Sequence, residues 1–103
     1  MSTYAALEIK VVRWGEARGI VQNSTGAAQA IKTLEECHEL IQAYKDNDRE
    51  AVKDALGDIL VTLIMGAACE DLDLVNDCLA KAYGEIKDRK GYLTADGIFV
   101  KQS

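Results

Sequence analysis

Apolar and polar positions along this chain alternate with the period of the α-helix. Four stretches show this pattern: residues 3–17, a stretch that begins after residues 23–25 and runs to about residue 46, residues 49–68, and a stretch that follows residues 71–73 and runs to about residue 89. Gly19 provides a stop after the first stretch, and the polar residues at 23–25 and 46–48 offer N-cap oxygens. The pattern therefore predicts four helices.

The second and third predicted helices have apolar patterns of different widths. The second carries one apolar stripe, formed by Ile31, Leu34, Cys37, Ile41 and Tyr44. The third is amphipathic at first but apolar all round from residue 59 onward, which predicts burial on every side. Since a chain of 103 residues cannot easily enclose such a helix, we expect a homodimer or homotetramer whose helices build shared bundles.

The last residues follow a different pattern. Asp96-Gly97 stands between short β-prone runs within residues 92–100, which predicts a small turn or hairpin laid on the surface. No linker, repeat or low-complexity tract divides the sequence, so we expect a single domain over residues 1–103.

Composition supports an all-α class and limits the partners. Hydrophobic residues make up 49% of the chain, aromatic residues only 6%, and proline is absent, a balance that favours helices packed on helices. The net charge of −5 opposes binding to nucleic acid. The longest uncharged run, residues 59–69, is too short to span a bilayer. Three cysteines without a CxxC motif and the lack of a signal-peptide pattern predict a cytoplasmic protein.

Carboxylates concentrate on the two central helices. Glu36 and Glu39 share a helix face with Glu35 beside them, and Asp54 and Asp58 share a face on the next helix. A short turn makes these helices antiparallel neighbours, so the two sets can face each other. Oxygen ligands at this density suit Mg²⁺ or Mn²⁺.

Simpler interpretations of these residues remain open. Glu35, Glu36 and Glu39 lie opposite the apolar stripe, which is also the pattern of a solvated face. Asp58 stands at the entrance to an apolar run, where a carboxylate needs an ion-pair partner or a metal. His38 forms Glu-x-x-His with Glu35, the spacing of di-iron bundles, but a second such motif is missing from the chain.

The order of these motifs resembles the MazG-like nucleotide pyrophosphohydrolase family of phages and bacteria. Residues 29–40 are similar to its Glu-Glu-x-x-Glu segment, and residues 56–61 to the second half of its Glu-x-x-Asp segment. Residues 86–91 and 96–101 are similar to the endings of its short members. The resemblance implies an all-α fold and Mg²⁺-dependent cleavage of a nucleoside triphosphate to the monophosphate and pyrophosphate.

The resemblance also implies roles for individual residues. Glu36, Glu39 and Asp58 would be the metal ligands, and Glu35 a further ligand or the residue that orients the attacking water. The family's Glu three residues before the Asp is Ala55 here. Asp54 lies next to it, about 100° round the helix, and would join the metal site only through a rotation of the helix or an intervening water molecule. Ala55 leaves open a second hypothesis, that of an impaired or engineered-inactive member that binds nucleotide or a protein partner. A relative with another substrate, such as a dimeric dUTPase or a phosphoribosyl-ATP pyrophosphohydrolase, also stays open.

Four basic or aromatic residues are candidates for substrate binding. Lys32 lies one turn before the glutamates, where it can hold a phosphate oxygen or form an i,i+4 ion pair with Glu36. Lys87 and Arg89 can contact phosphate or complement the dipole of the last helix. Trp14 can stack on a base or serve as a core or interface residue.

Overall fold

The computed structural model describes residues 2–102 and is dominated by helices. In chain order these are α1 (Tyr4–Ala17), α2 (Ile20–Asn23), α3 (Gly26–Lys45), α4 (Arg49–Cys69), a π-helical segment (Leu74–Leu79) and α5 (Ala80–Ile86), followed by strands β1 (Gly91–Leu93) and β2 (Phe99–Lys101). The predicted all-α class is confirmed. The four-residue helix α2 is an addition that the pattern did not indicate.

Side-chain caps begin the helices near the predicted positions. Thr25 accepts a hydrogen bond from the backbone N–H of Ala28 at 3.0 Å, and Asp48 accepts one from Ala51 at 3.1 Å. Between them, α3 ends at Lys45, and Asn47 adopts a left-handed conformation with φ 52°. This three-residue turn reverses the chain, so that α3 and α4 pack side by side along their length.

Helix α3 presents a different face to α4 from the one that its apolar stripe indicated. Ala43 and Glu36 are buried, whereas Ile31, Leu34 and Ile41 are 64%, 59% and 53% exposed. The predicted stripe therefore points away from α4. Small side chains explain the reversal, because alanine and threonine at the contact let the two helix backbones approach closely. Thr33 and Thr62 meet at this contact, and Ala43 of α3 and Ala55 of α4 are each 4% exposed.

The core of the single chain lies where α1 and α2 pack against the second half of α4. Met65 is 2% exposed and Ile64 is 5% exposed, and Gly15 of α1 packs directly against the Met65 side chain. The other face of α4 stays open, since Leu60 and Leu63 are 46% and 41% exposed. The expected burial of α4 on every side is therefore not achieved within one chain.

The predicted fourth helix is divided into two parts. Asp73 caps it by accepting hydrogen bonds from the N–H groups of Val75 and Asn76, and a π-helical turn follows before α5. Helix α5 ends at Ile86, three residues before the predicted end. Backbone angles at Leu79 stay helical (φ −65°, ψ −42°), so α5 continues directly from the π segment without a loop.

The C-terminal hairpin is confirmed, but its predicted placement on the surface of the domain is wrong. Strands β1 and β2 pair antiparallel, with Tyr92 opposite Val100, and Gly97 takes the left-handed conformation of the turn at φ 82°. No α-carbon of either strand lies within 8 Å of an α-carbon in a helix of the described chain. The hairpin projects from the end of α5 instead of packing on the helices.

Candidate metal centre

Three carboxylates meet between α3 and α4. One oxygen each from Glu36, Glu39 and Asp58 lies within 4.8 Å of the others, and within residues 2–102 this is the one group of three potential metal ligands. Glu36 and Glu39 come from successive turns of α3, and Asp58 comes from the facing turn of α4. The structure thus brings together three of the residues predicted as metal ligands.

A hydroxyl pair holds the two helices in this register. Thr33 lies one turn before Glu36 and Thr62 one turn after Asp58, and their hydroxyl oxygens are 2.8 Å apart. Each hydroxyl oxygen is also within reach of a carbonyl oxygen of its own helix, Thr33 of that of Gln29 at 2.9 Å and Thr62 of that of Ile59 at 2.8 Å. Because the two hydroxyls have two protons between them, one donates to the other, and the accepting hydroxyl donates to its own carbonyl. This arrangement gives the buried hydroxyl groups hydrogen-bond partners. It also sets the register of α3 and α4, and so keeps Glu36 and Glu39 opposite Asp58.

Glu36 is the buried member of the cluster. It is 7% exposed, and its Oε2 is buried without a hydrogen bond from any described residue. A buried carboxylate oxygen without a partner is costly, whereas a cation at this point would satisfy it. The oxygen-only donor set also matches a hard divalent cation. The residues present therefore fit a divalent metal.

Neighbouring charges shift the protonation of Glu36. A hydrogen bond between the carboxyl groups of Glu36 and Glu39, which needs a shared proton, raises the pKa of Glu36 above its ordinary value. Burial and the negative charge of Glu39 raise this pKa further, and Lys32 opposes them. Crowded carboxylates of this kind hold a proton or a cation more readily than isolated ones.

Lys32 lies at the edge of the cluster. Its Nζ is 3.2 Å from Oε2 of Glu35 and 3.6 Å from Oε1 of Glu36. The hydrogen bond to Glu35 is the largest cause that raises the pKa of Lys32, so the amine stays charged. The predicted ion pair with Glu36 is present, and the amine is the cation nearest to the buried carboxylate.

The remaining predicted site residues lie outside the cluster. Glu35 is exposed and turns toward Lys32, and Asp54 is exposed on α4. Ala55 is 4% exposed at the contact with α3, one turn before Asp58. Lys87 and Arg89 follow the end of α5, which contacts the π segment but no other helix of the described chain. A site within one chain therefore lacks these two cations.

A groove with apolar walls opens beside Asp58. It has a volume of about 430 Å³ and runs between α1 and α4. Trp14 lines it, 44% exposed, and the guanidinium of Arg18 lies 4.5 Å from the centre of the indole ring. The other lining residues are Leu7, Lys10, Val11, Asp58 and Val61.

Lys10 is a site candidate that sequence reasoning missed. It lies four residues before Trp14, and the two side chains therefore share one face of α1. This spacing was a usable signal, since it places an amine beside the aromatic candidate. In the structure Lys10 brings positive charge to a groove that ends at Asp58.

Carboxylates that face each other across a helix pair, with an apolar groove beside them, form a candidate site for a divalent metal. The profile of the family described as "MazG nucleotide pyrophosphohydrolase domain" matches residues 25–89, more than half of the chain. The chain belongs to this family, as its resemblance implied, and the matched range contains the whole cluster.

The comparison with curated proteins adds a phage relative. The chain is 34% identical over 65 residues to an "Uncharacterized 18.2 kDa protein in rep-hol intergenic region" of Haemophilus phage HP1 (strain HP1c1). The match covers 63% of this chain and 40% of that relative, so the chain spans less than half of the relative's length. No solved structure gives a significant match. None of the helices within residues 2–102 combines the length and hydropathy that a membrane crossing requires.

Proposed function

We propose that this protein is a Mg²⁺-dependent nucleoside triphosphate pyrophosphohydrolase that converts a (d)NTP to the (d)NMP and pyrophosphate. The observation that carries the proposal is the buried, unpartnered Oε2 of Glu36 inside a three-carboxylate cluster. Glu36, Glu39 and Asp58 would hold Mg²⁺, or Mn²⁺ in its place. When bound, the cation neutralises phosphate charge and acidifies a water molecule.

The protein's own residues supply binding and orientation. The groove beside Asp58 offers an apolar wall and the face of Trp14 to the base and sugar, and Lys10 and Lys32 offer positive charge to phosphate oxygens. Glu35, which is exposed and pairs with Lys32, would serve as a further metal ligand or orient the attacking water. Because phosphoryl transfer depends largely on positioning and charge neutralisation, this modest set of groups is sufficient in kind.

The proposed setting is the cytoplasm of a bacterial cell, with the chain encoded by a bacterium or a phage. Nucleoside triphosphates occur there, and reducing conditions suit Cys37, Cys69 and Cys78, which are all free. The chain is further proposed to work as a homodimer or homotetramer, because Ile31, Leu34 and other apolar residues of α3 are mostly exposed in the single chain.

A pyrophosphate-release assay over a panel of NTPs and dNTPs tests the proposal. We expect release that requires Mg²⁺ or Mn²⁺, that stops in chelator, and that falls at least about a hundredfold in Asp58→Asn. Asp54→Asn is the matched control, since Asp54 is an exposed carboxylate on the same helix. Release that is unchanged in Asp58→Asn would overturn the metal-site hypothesis.

The alternative is an impaired member that binds nucleotide without efficient turnover. It is favoured by Ala55, because the family's Glu at this position would add a fourth carboxylate, and the methyl group here is buried against α3. We expect Ala55→Glu to lower the melting temperature in chelator, and Mg²⁺ to restore it. Ala55→Gln has a side chain of equal size without the charge, so Mg²⁺ should not restore its melting temperature. A large gain in turnover in Ala55→Glu would support the impaired member; an unchanged rate would favour a site that works with three carboxylates.

A further inference from the structure

Helices α3 and α4 approach each other through small side chains. A Cβ added to Gly66 would lie 3.4 Å from Cβ of Gln29, so the two backbones are close at this point. Ala55 is 4% exposed, whereas Leu34 and Ile41, which are large enough to interlock with a facing helix, are mostly exposed. Because contacts between small apolar groups have little directionality, they hold the two helices together without fixing the register between them.

The hydroxyl pair provides a directional contact in this interface. The side-chain oxygens of Thr33 and Thr62 are 2.8 Å apart, and Thr62 is 6% exposed. Within residues 2–102, one other hydrogen bond joins α3 to the end of α4, from the N–H of Gly26 to Oε1 of Glu70, two turns further from the carboxylates. Since a hydrogen bond weakens steeply when it is misaligned, the pair restricts sliding and rotation of α3 against α4 beside the cluster.

The bond across the helices is not needed to give either hydroxyl a partner. The hydroxyl of Thr33 can reach the carbonyl of Gln29 at 2.9 Å. That of Thr62 can reach the carbonyl of Ile59 at 2.8 Å. If one hydroxyl is replaced by a methyl group, the other therefore keeps an acceptor in its own helix, and no buried hydroxyl is left without a partner. The bond between the two helices thus contributes to geometry more than to the satisfaction of polar groups.

The place of the pair relative to the carboxylates makes this geometry important for a metal. Thr33 lies three residues before Glu36. Thr62 lies four residues after Asp58, so the pair and the cluster are successive contacts of the same two helices. A shift of one residue in register would move Asp58 by about 1.5 Å along the helix and turn its side chain by about 100°. Mg²⁺ requires oxygen ligands at about 2.0–2.1 Å in nearly octahedral geometry, so a much smaller shift would already weaken the site.

We propose that Thr33 and Thr62 are positioning residues of the metal centre, because their hydroxyl pair sets the register in which the glutamates of α3 face Asp58. Neither hydroxyl belongs to the ligand set. The proposal rests on the metal site of the proposed function, but not on turnover or on the identity of the nucleotide. It assigns the pair a larger effect on metal affinity than on the stability of the metal-free fold.

Binding of Mn²⁺ to the full-length chain tests the proposal without an activity readout. Free Mn²⁺ is measured by its EPR signal at fixed pH and ionic strength, and melting temperatures are measured in parallel in chelator. Thr33→Val/Thr62→Val replaces both hydroxyls by methyl groups of the same shape. We expect this variant to raise the Kd for Mn²⁺ roughly tenfold. Its melting temperature in chelator should stay close to that of the wild type, because apolar replacement of both partners is nearly neutral.

Two controls separate the hydrogen bond from packing. Thr33→Ser/Thr62→Ser keeps both hydroxyls but removes methyl groups, so it should lower the melting temperature while the Kd stays near the wild-type value. Thr94→Val removes a hydroxyl that accepts a hydrogen bond from the N–H of Ile98 in the hairpin, away from α3 and α4, and should leave the Kd unchanged. Thr33→Val and Thr62→Val, made singly, should each weaken binding nearly as much as the double variant, since either one removes the same contact.

The outcomes distinguish this proposal from the proposed function. An unchanged Kd in Thr33→Val/Thr62→Val, or a loss of affinity that Thr33→Ser/Thr62→Ser shares, would overturn the positioning role. If the double valine variant does not fold, the single valine variants decide by the same criterion. A wild-type chain that binds Mn²⁺ but releases no pyrophosphate would overturn the proposed function alone, and one that binds no Mn²⁺ would overturn both. Where release occurs, the Mg²⁺ concentration that gives half the maximal rate should rise in the double valine variant by the same factor as the Kd, roughly tenfold.

Discussion

At the scale of single residues, burial and charge separate the glutamates of α3. Glu35 is exposed and paired with Lys32, whereas Glu36, the next residue, is turned under Glu39 and toward α4. The helical rotation of about 100° per residue is enough to give adjacent side chains different surroundings. The chemistry of the cluster therefore depends on which glutamate faces α4.

The raised pKa of Glu36 predicts a pH dependence of stability for the metal-free protein. Since folding raises this pKa above its ordinary value of 4.5, the folded state binds the proton more tightly than the unfolded state. The resulting stabilisation is present below pH 4.5 and is lost as the pH rises through the raised value. Melting temperatures in chelator should show this loss in the wild type but not in Glu36→Gln.

The exposed neighbour provides the control for that measurement. Glu35→Gln removes a carboxylate from the same helix without touching the buried position, so its profile should follow the wild type apart from its ion pair with Lys32. Parallel profiles for wild type and Glu36→Gln would contradict the pKa assignment. Adding Mg²⁺ should raise the wild-type melting temperature more at pH 7 than at pH 5, because carboxylate ligands must be ionised.

Trp14 is expected to contribute to nucleotide binding and not to the chemical step. Its ring lines the groove beside Asp58, and base stacking on one aromatic face is worth about 0.5–1.5 kcal/mol beyond buried area. Trp14→Ala should therefore raise KM for the preferred nucleotide roughly threefold to tenfold with a smaller change in kcat, and Trp14→Phe should retain most of the affinity. An equal loss of kcat and kcat/KM in Trp14→Ala would assign the residue to the reacting centre instead.

At the scale of elements, close helix contacts depend on small residues. Gly15 brings α1 against α4, where an added Cβ would overlap Sδ of Met65 and come within 2.8 Å of its Cε. Thr33 and Thr62 bring α3 and α4 together in a similar way, through a contact between two hydroxyl groups instead of large apolar side chains. The carboxylate cluster and the groove are therefore consequences of how closely these helices approach.

Two glycine substitutions test this dependence. Gly15→Ala should destabilise the fold by about 1–3 kcal/mol, because Met65 is 2% exposed and has little space to move into. Gly84→Ala is the matched control on α5, where an added Cβ meets nothing within 4 Å. It should stabilise by about 0.5–1 kcal/mol through helix propensity. Denaturant unfolding measures both, and equal effects of the two substitutions would contradict the packing argument.

At the scale of the whole molecule, the single chain leaves much of its apolar surface uncovered. Within residues 2–102 only a few side chains are buried, among them Ile64 and Met65, while the outer face of α3 is mostly exposed. A domain of this size has a small core even when well packed. We therefore expect assembly with other copies, which would cover the exposed apolar surface, to add to the free energy of unfolding.

Leu34→Glu tests that expectation. Leu34 is 59% exposed in the single chain, so in a true monomer this substitution should change stability by less than about 0.5 kcal/mol. In the proposed dimer the substitution buries a charge at the interface. It should therefore shift the sedimentation equilibrium toward monomer, and the melting temperature of the variant should fall when the protein is diluted. Gln22→Glu adds the same charge at an exposed polar position and should leave assembly unchanged. A monomeric wild-type chain would contradict the assembly proposal.

The sequence by itself determined the starts of the long helices, the turn between α3 and α4 and the hairpin, because their causes are local. Capping oxygens at Thr25, Asp48 and Asp73 and the Asp96-Gly97 pair act within a few residues of the chain. The candidate ligands Glu36, Glu39 and Asp58 were also predictable, from helical spacing and from the resemblance to a family with this order of carboxylates.

Tertiary structure alone decided which faces of the helices meet. For α3 the sequence left two orientations open, one with Glu36 on a solvated face opposite the apolar stripe and one with Glu36 turned toward α4. The structure buries Glu36 and leaves Leu34 and Ile41 exposed. Hydrophobic periodicity identifies a face that needs burial, but it does not say whether the same chain or another copy covers it. The isolation of α5 and the hairpin was hidden for the same reason, since contacts between distant segments depend on helix packing and not on local pattern.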